Sequence, residues 1–467
     1  MRIAVFGMGY VGLVSAAGLA SWGHEVIGVE VARARLEALR AGRLPIYEPG
    51  LSSLVASGVA EGHLRFASEL KPGQGVDLAI IAVGTHDGDG GWQTHTIESC
   101  LSAIVPNLDD GAAIVIRSTL PPSFLPALRS LVAAKRAATG RGPVPLMVNP
   151  EFTKEGTAVS DFLHPDRIVV GQIDDPTGVG AGCVREMYRT IPETTPFLVM
   201  AGEDAVLAKL GANLFLATKI SFANELALLC EAYGADVTSV VGAMGHDDRI
   251  GPKFLKAGIG FGGSCLPHQV TMTVREAQLD GRSTPLFAAV ESINDQRRLD
   301  FVDRLRDAAG GTLEGRTIAL LGLTFKPNTD DLREAPSLTI AEAAMAAGAR
   351  VVAYDPMAPA RIRAASLLPG LEIVDSVEDA LRDADVAGLV TEWPEFLGLD
   401  WAEVAELMRN PAVVDGRNAL DPDAVTSAGL SYIGFGRQVG RVPATTARPA
   451  VAAQWNDQLE WASAAAD

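Results

Sequence analysis

The first 170 residues repeat one pattern of apolar and polar positions. Short β-branched runs, RIAVFG (2–7), EVIGVE (25–30), DLAIIAVGT (77–85), AAIVIRST (112–119), PLMVNPE (145–151) and RIVVGQ (167–172), alternate with Ala/Leu-rich stretches of helical period. That alternation predicts βαβ units, because parallel neighbours need a crossover long enough to hold a helix. A second series, RTIALLGLTF (316–325), ARVVAYDP (349–356), LEIVD (371–375), DVAGLVTEW (385–393) and AVVDGRN (412–418), predicts another doubly wound parallel sheet. Between them EDAVLAKLGANLFLATKISFANELALLCEAYG (203–234) runs without proline, with apolar residues three and four apart. At 1.5 Å per residue it predicts a helix of roughly 45 Å, long enough to join two domains.

Composition narrows the classes. A chain of 467 residues exceeds what one core usually supports, and 48% apolar with 21% charged residues is ordinary globular composition. The net charge of -18, from 57 acidic and 39 basic residues, argues against nucleic-acid binding. An anionic ligand must then be met by a few local cations. Cys100, Cys183, Cys230 and Cys265 lie far apart without CxxC spacing, so no metal site and no disulfide framework is expected, and a reducing cytoplasm is the default location. The start, MRIAVFGMG, goes directly into a strand-like run, and no apolar run reaches about 18 residues, so neither a signal peptide nor a membrane span is expected.

Gly7, Gly9 and Gly12 form G-x-G-x-x-G between the first strand and the helical LVSAAGLASWG. The spacing suits a tight turn, close approach to a pyrophosphate, and helix-on-strand packing, with the phosphate at the helix N-terminus. Glu30 ends the second strand, 18 positions beyond Gly12, where a carboxylate accepts from the ribose 2′-hydroxyl and repels a 2′-phosphate. NAD is expected rather than NADP. The bland alternative, a glycine turn beside a surface glutamate, is disfavoured by the strand–turn–helix context.

The stretch GIGFGGSCLPHQ (258–269) crowds glycines ahead of Cys265 and breaks at a proline that opens a helix. Peptide dipoles there would stabilise a thiolate, and the glycines would leave room for a substrate carbon beside the sulfur. Alone, a free cysteine is more often a packing residue. Lys209 and Asn213, four apart on the long helix, project from one face and can converge on one site, though spacing alone favours a solvated lysine beside an asparagine.

Further motifs occur in order along the chain: GMGYVGL (7–13), PIYEPGL (45–51), RSTLPP (117–122), NPEFTKEGTA (149–158), KLGANLFLATKISFANE (209–225), DRIGPKFLKAGIGFGGSCLP (248–267), GLTFKPNTDDLREAPS (322–337), YDP (354–356), TEWPEF (391–396) and DGRN (415–418). With them the chain resembles the UDP-glucose/GDP-mannose dehydrogenases from residue 1 to about 437, closest to the UDP-glucose 6-dehydrogenase branch. The resemblance implies an α/β fold of two Rossmann-like doubly wound parallel-sheet domains joined by a long central helix. The implied division is an NAD-binding domain over 1–200, a central helical dimerisation region over 201–300, a nucleotide-sugar-binding domain over 301–440, and a loosely ordered tail over 441–467.

The activity implied is a four-electron oxidation of a nucleotide hexose CH₂OH to the carboxylate with two NAD⁺, most readily UDP-glucose to UDP-glucuronate. Cys265 would attack the intermediate aldehyde, and a thiohemiacetal and a thioester would follow. Lys209 and Asn213 would stabilise the oxyanion, while Thr119 and Glu151 would organise water and proton transfers. By the same resemblance the cofactor meets Gly7, Gly9, Tyr10, Val11, Gly12, Glu30, Arg35, Val83, Thr85, Thr119, Glu155 and Arg333. The sugar nucleotide meets Phe152, Glu155, Lys209, Asn213, Lys256, Gly260, Phe261, Gly262, Phe325 and Lys326, with Arg249 reaching in from the partner of a homodimer or higher homo-oligomer.

Two places depart from the family pattern. Where it commonly continues the cysteine motif as C-x-x-K-D, this chain has His268 and Gln269, and where it has GTP after Val83 this chain has GTHDGDGG with His86. A neutral amide cannot take a proton as a carboxylate does. His268, whose side-chain type titrates near neutrality, could serve as base or merely fill space. A TDP-glucose or other nucleotide-sugar dehydrogenase, an enzyme that stalls at partial oxidation, and a non-catalytic nucleotide-sugar binder remain as alternatives.

Overall fold

The structure, a computed structural model, describes residues 1–86 and 91–437. The tail expected over 441–467 and part of the loop after Val83 lie outside the described residues. Strands β1 (Arg2–Phe6), β2 (Glu25–Val29), β3 (Leu64–Ala67), β4 (Leu78–Ile81), β5 (Ala113–Ile116), β6 (Leu146–Val148), β7 (Ile168–Asp174) and β8 (Phe197–Ala201) form an eight-stranded sheet in the order β3-β2-β1-β4-β5-β6-β7-β8. β9 (Thr317–Leu321), β10 (Arg350–Tyr354), β11 (Glu372–Ile373), β12 (Val386–Leu389), β13 (Ala412–Asp415) and β14 (Ser431–Ile433) form a six-stranded sheet in the order β11-β10-β9-β12-β13-β14. Central strands such as β4, β5 and β9 are buried along their whole length, as continuous apolar runs covered by helices on both faces should be. The fold class is the α/β one expected, with a doubly wound sheet on either side of a long helix.

Three strands escaped the apolar pattern. LRFA at β3 and SYI at β14 are short edge or near-edge pieces, and FLVMA at β8 is a largely exposed edge strand running straight into the next helix. One pair breaks the parallel rule: β6 and β7 are antiparallel, with Val148 opposite Gly171. The connection between them holds the six-residue helix Ala158–Leu163 and returns the chain at the same end of the sheet. The chain therefore turns at the end where β6 stops, and NPEFTKEGTA lies beyond the carboxyl edge of β1, β4 and β5, where doubly wound sheets bind ligands.

The helix Gly202–Tyr233 buries Ala205, Val206, Leu210, Leu214 and Ala217 against its neighbours and ends at Gly234 in the left-handed conformation, φ 71°, which satisfies the Cys230 carbonyl. It is long and apolar enough to cross a bilayer by length and composition, yet it serves here as the connector of the two sheets. Its other face carries exposed Leu207, Phe215, Phe222, Leu229 and Tyr233. The helices Leu266–Leu279 and Pro285–Ala308 pack on it and lead to β9.

Candidate active site

The cofactor cradle opens at the carboxyl end of β1. A Cβ on Gly12 would stand 1.8 Å from the Gly7 carbonyl oxygen, so α1 (Tyr10–Ser21) can approach the strand only with glycine there. A Cβ on Gly9 would meet nothing within 4 Å, so the first turn of α1 faces open space with backbone N–H groups available. Those two facts fit a dinucleotide pyrophosphate. Glu30 is buried, and its carboxylate accepts from Ala32 N (2.8 Å), Met8 N (3.3 Å) and Arg35 Nη1 (3.1 Å). Val83 and Thr85 follow β4 on the neighbouring loop, where the Ser118 hydroxyl donates to the Val83 carbonyl at 2.7 Å. Half-buried Thr119 comes next after Ser118, at the end of β5.

Across the cleft, the turn after β6 delivers Glu151, which is paired with Lys209 Nζ at 3.1 Å, both almost wholly buried. The other oxygen of Glu151 accepts from Thr153 N at 2.7 Å and Thr153 Oγ1 at 2.5 Å. Burial works to raise the Glu151 carboxyl, but Lys209, the Thr153 bonds and Arg117 outweigh it and hold the group below the usual carboxylate range. Phe152 lies under two cations, 3.8 Å from Arg167 and 5.4 Å from Lys209.

Cys265 caps the helix Leu266–Leu279 as expected, and its thiol, reachable by solvent at the mouth of the cleft, contacts Ser264 Oγ at 3.7 Å. The thiolate-stabilising surroundings expected there are not found. Crowding by protein atoms pushes the thiol up, Glu151 and Glu155 add to this, and Lys209 and the Ser264 contact only partly offset them. The glycines also have a different cause. A Cβ on Gly260 would fall 2.3 Å from Asn294 Oδ1, and one on Gly262 would fall 2.3 Å from the Glu334 carbonyl, so the run is threaded tightly between a helix and the second sheet's loops. Phe261 is buried within that run and Phe325 lies against Gly263.

Glu155 joins the two halves. It accepts from Ser264 Oγ (3.2 Å), Thr329 Oγ1 (3.4 Å) and Arg333 Nη2 (3.4 Å). Burial and the neighbouring Asp331 push its carboxyl up to about 7, against Arg333 and Lys326. Burial in turn lowers Lys326, against Glu155, Cys265 and Glu48. Asn213 Nδ2 donates to Gln269 Oε1 at 2.7 Å, and Gln269 is buried. His268 stacks on His86, ring centroids 5.6 Å apart, so the two departures from the family pattern touch.

Within one chain the structure does not bring Arg249 to this cleft: it is exposed and held by Asp247. Lys256 is likewise exposed. Residue-by-residue reading missed Asp331, Thr329, Ser264 and Glu48, and also Arg417, which donates to the carbonyls of Gly260, Phe325 and Val390. Apart from Ser264, which the cysteine motif contains, they lie in the motifs TDDLRE, YEPGL and DGRN, whose presence was the available signal.

Fold and site together define an NAD-dependent nucleotide-sugar dehydrogenase. The chain matches the UDP-glucose/GDP-mannose dehydrogenase family in its NAD binding domain (residues 1–192), central domain (203–296) and UDP binding domain (319–422). It is 39% identical over 441 residues to a UDP-glucose 6-dehydrogenase of Rhizobium meliloti, covering 94% of this chain and 100% of that one. It is 38% identical over 443 residues to UDP-glucose 6-dehydrogenase YwqF of Bacillus subtilis, covering 94% and 98%. A UDP-glucose dehydrogenase from Pyrobaculum islandicum superposes with a TM-score of 0.83 at 35% identity, over 94% of this chain and 98% of its own. A UDP-D-ManNAc dehydrogenase from Pyrococcus horikoshii gives 0.81 at 26%, over 94% and 99%. The protein belongs to the UDP-glucose/GDP-mannose dehydrogenase family.

Two outcomes follow from the electrostatics. Alkylation of Cys265 by iodoacetamide in the ligand-free protein should keep accelerating above pH 9, with Cys265→Ser as the blank; a plateau below pH 8 would show a depressed thiol instead. Glu155 is raised, so its native-state proton stabilises the fold at low pH and that stability is lost as pH rises through about 7. Glu155→Gln should therefore leave the thermal midpoint unchanged near pH 4.5 and raise it at pH 8.5, by up to about 3 kcal/mol in stability. Calorimetry at the two pH values checks this.

Proposed function

We propose that the protein oxidises the C6 alcohol of UDP-glucose to the carboxylate of UDP-glucuronate, consuming two NAD⁺ and one water. What supports this reading is the proximity of Cys265 to Glu151 and Lys209, whose charges act on its thiol, with Asn213 held by Gln269 one turn into the helix that Cys265 caps. The full-length relatives named UDP-glucose 6-dehydrogenase favour glucose as the sugar. Bound NAD⁺ supplies the hydride acceptor.

The chain's own groups do the remainder. Thr119 and Glu151 hold the water that takes the C6 hydroxyl proton during the first oxidation. Cys265 Sγ, on losing its proton, bonds to the aldehyde carbon, and the carbonyl electron pair becomes an oxyanion beside the Lys209 ammonium and the Asn213 amide. Loss of a second hydride from that carbon gives the thioester. Water then adds, the C–S bond breaks with its electron pair on sulfur, and the acid leaves. Gln269 takes no proton in this scheme; it accepts from Asn213 and fixes its amide. Water activation falls to Glu151, ionised and adjacent to Lys209.

The amide at 269 also favours a second reading, slow thioester hydrolysis with the covalent intermediate accumulating. As for assembly, the seven-residue spacing of exposed Phe215, Phe222 and Leu229 along the central helix supports a homodimer packed on that face, with exposed Arg249 exchanging Asp247 for a partner's site. Free cysteines throughout are consistent with a cytoplasmic location.

The test is the NADH yield per sugar over UDP-glucose, TDP-glucose and UDP-N-acetylmannosamine. Two per UDP-glucose is expected; one indicates arrest, and none refutes the assignment. Cys265→Ser should release no acid, because a hydroxyl, far less acidic than a thiol, is a poor nucleophile at neutral pH and its alkoxide a poor leaving group. Gln269→Asp should raise steady-state turnover if hydrolysis limits, and intact mass should then show the wild-type Cys265 adduct disappearing. Phe222→Glu should yield monomers by sedimentation.

A further inference from the structure

We propose that Glu48 is a positioning residue, a buried carboxylate that holds the cofactor cradle and the turn bearing Glu151 and Glu155 at one fixed spacing. Glu48 is 5% exposed. Its Oε1 accepts from Ala158 N at 2.7 Å and its Oε2 from Gly156 N at 2.6 Å. The Tyr10 hydroxyl donates to the same Oε2 in a short bond. Tyr10 is the first residue of α1, inside the glycine fingerprint itself. One side chain thus grips the helix that faces the pyrophosphate position and the turn that carries the two acids.

The far side of that turn is clamped as well. Gly156 has φ +81°, and a Cβ there would stand 3.1 Å from the Asn328 carbonyl of the second domain. Glu155, one residue earlier, meets Ser264 and Arg333. Displacing Gly156 therefore displaces Glu155 relative to the loop that ends in Cys265. The Glu48 charge also reaches Lys326, where it opposes the effect of burial on that ammonium.

The chemistry of the carboxylate suits this role and no simpler one. A buried carboxylate costs several kcal/mol unless hydrogen-bonded throughout, so an apolar side chain would fill the space at lower cost. Only a group with two acceptor oxygens and no donor can satisfy two separate N–H groups and a phenol together. Glutamine offers one acceptor and would turn an N–H donor toward another donor.

The kinetic arm of the test rests on the dehydrogenase reading, while hydrogen exchange of the segment 152–160 needs no substrate. Glu48→Gln and Glu48→Asp are compared with wild type. Wild type should protect the Gly156 and Ala158 amides; Glu48→Gln should exchange them at least about tenfold faster, and Glu48→Asp, shorter by one methylene, likewise. kcat should fall by about 10 to 100-fold in both, as expected when a reacting group shifts by about an ångström. KM for NAD⁺ should stay within about threefold. Unchanged exchange and kcat in both Glu48 variants would overturn the proposal. So would a parallel collapse of kcat, NAD⁺ binding and thermal midpoint, which marks a merely structural residue. If wild type reduces NAD⁺ with no nucleotide sugar, the dehydrogenase reading fails, and the exchange rates alone decide whether Glu48 holds the turn.

Discussion

The buried pair between Glu151 and Lys209 is the contact on which the arrangement depends. Two ions removed from water lose several kcal/mol each, and attraction between them repays this only where the geometry is good and the remaining lone pairs are used. Here one oxygen of Glu151 takes Lys209 and the other takes both donors of Thr153. Lys209 sits in the second turn of the central helix and Glu151 just past β6. Their pairing sets the rotation of that helix against the carboxyl edge of the first sheet. Asn213, one turn further along, is carried to its place by the same rotation.

Glu155 performs a related task between the domains, at a different electrostatic cost. No cation sits on it as closely as Lys209 sits on Glu151: Arg333 is 3.4 Å away and shared with Asp331, which it holds at 2.7 Å. Two carboxylates dividing one guanidinium leave Glu155 poised near neutrality, whereas Glu151 remains charged. The acid at the domain boundary can therefore change charge under conditions where the acid in the core cannot.

Much of this was legible in the chain, for identifiable reasons. β1, β4, β5 and β9 announce themselves because strands buried on both faces must be continuously apolar, and the 32-residue helix because nothing interrupts its period. Cys265, Lys209 and Gly12 were visible as local patterns. Invisible were relations fixed by packing alone: the reversal of β7 against β6, and the approach of Thr329 to Glu155, 174 positions apart. The glycine run signals a close approach in the sequence, but only the fold shows that Asn294 and Glu334 crowd it. The upward displacement of the Cys265 thiol could not be read either, since it arises from crowding by protein atoms and from two carboxylates that only the folded chain brings near.

That displacement gives the amide at 269 a physical meaning. The thiol of Cys265 is already opposed by Glu151 and Glu155, and Lys209 is the cation that counters them, while itself bonded to Glu151. A carboxylate at the buried position 269 would add a further negative charge near a thiol that Glu151 and Glu155 already oppose. Gln269 satisfies Asn213 without that charge, so the amide leaves Lys209 available to both the thiolate and the oxyanion. Under the proposed thioester route, the cost is one base fewer for the hydrolytic water. In that route the amide eases formation of the carbon–sulfur bond and leaves its hydrolysis to the remaining groups of the site, Glu151 first among them.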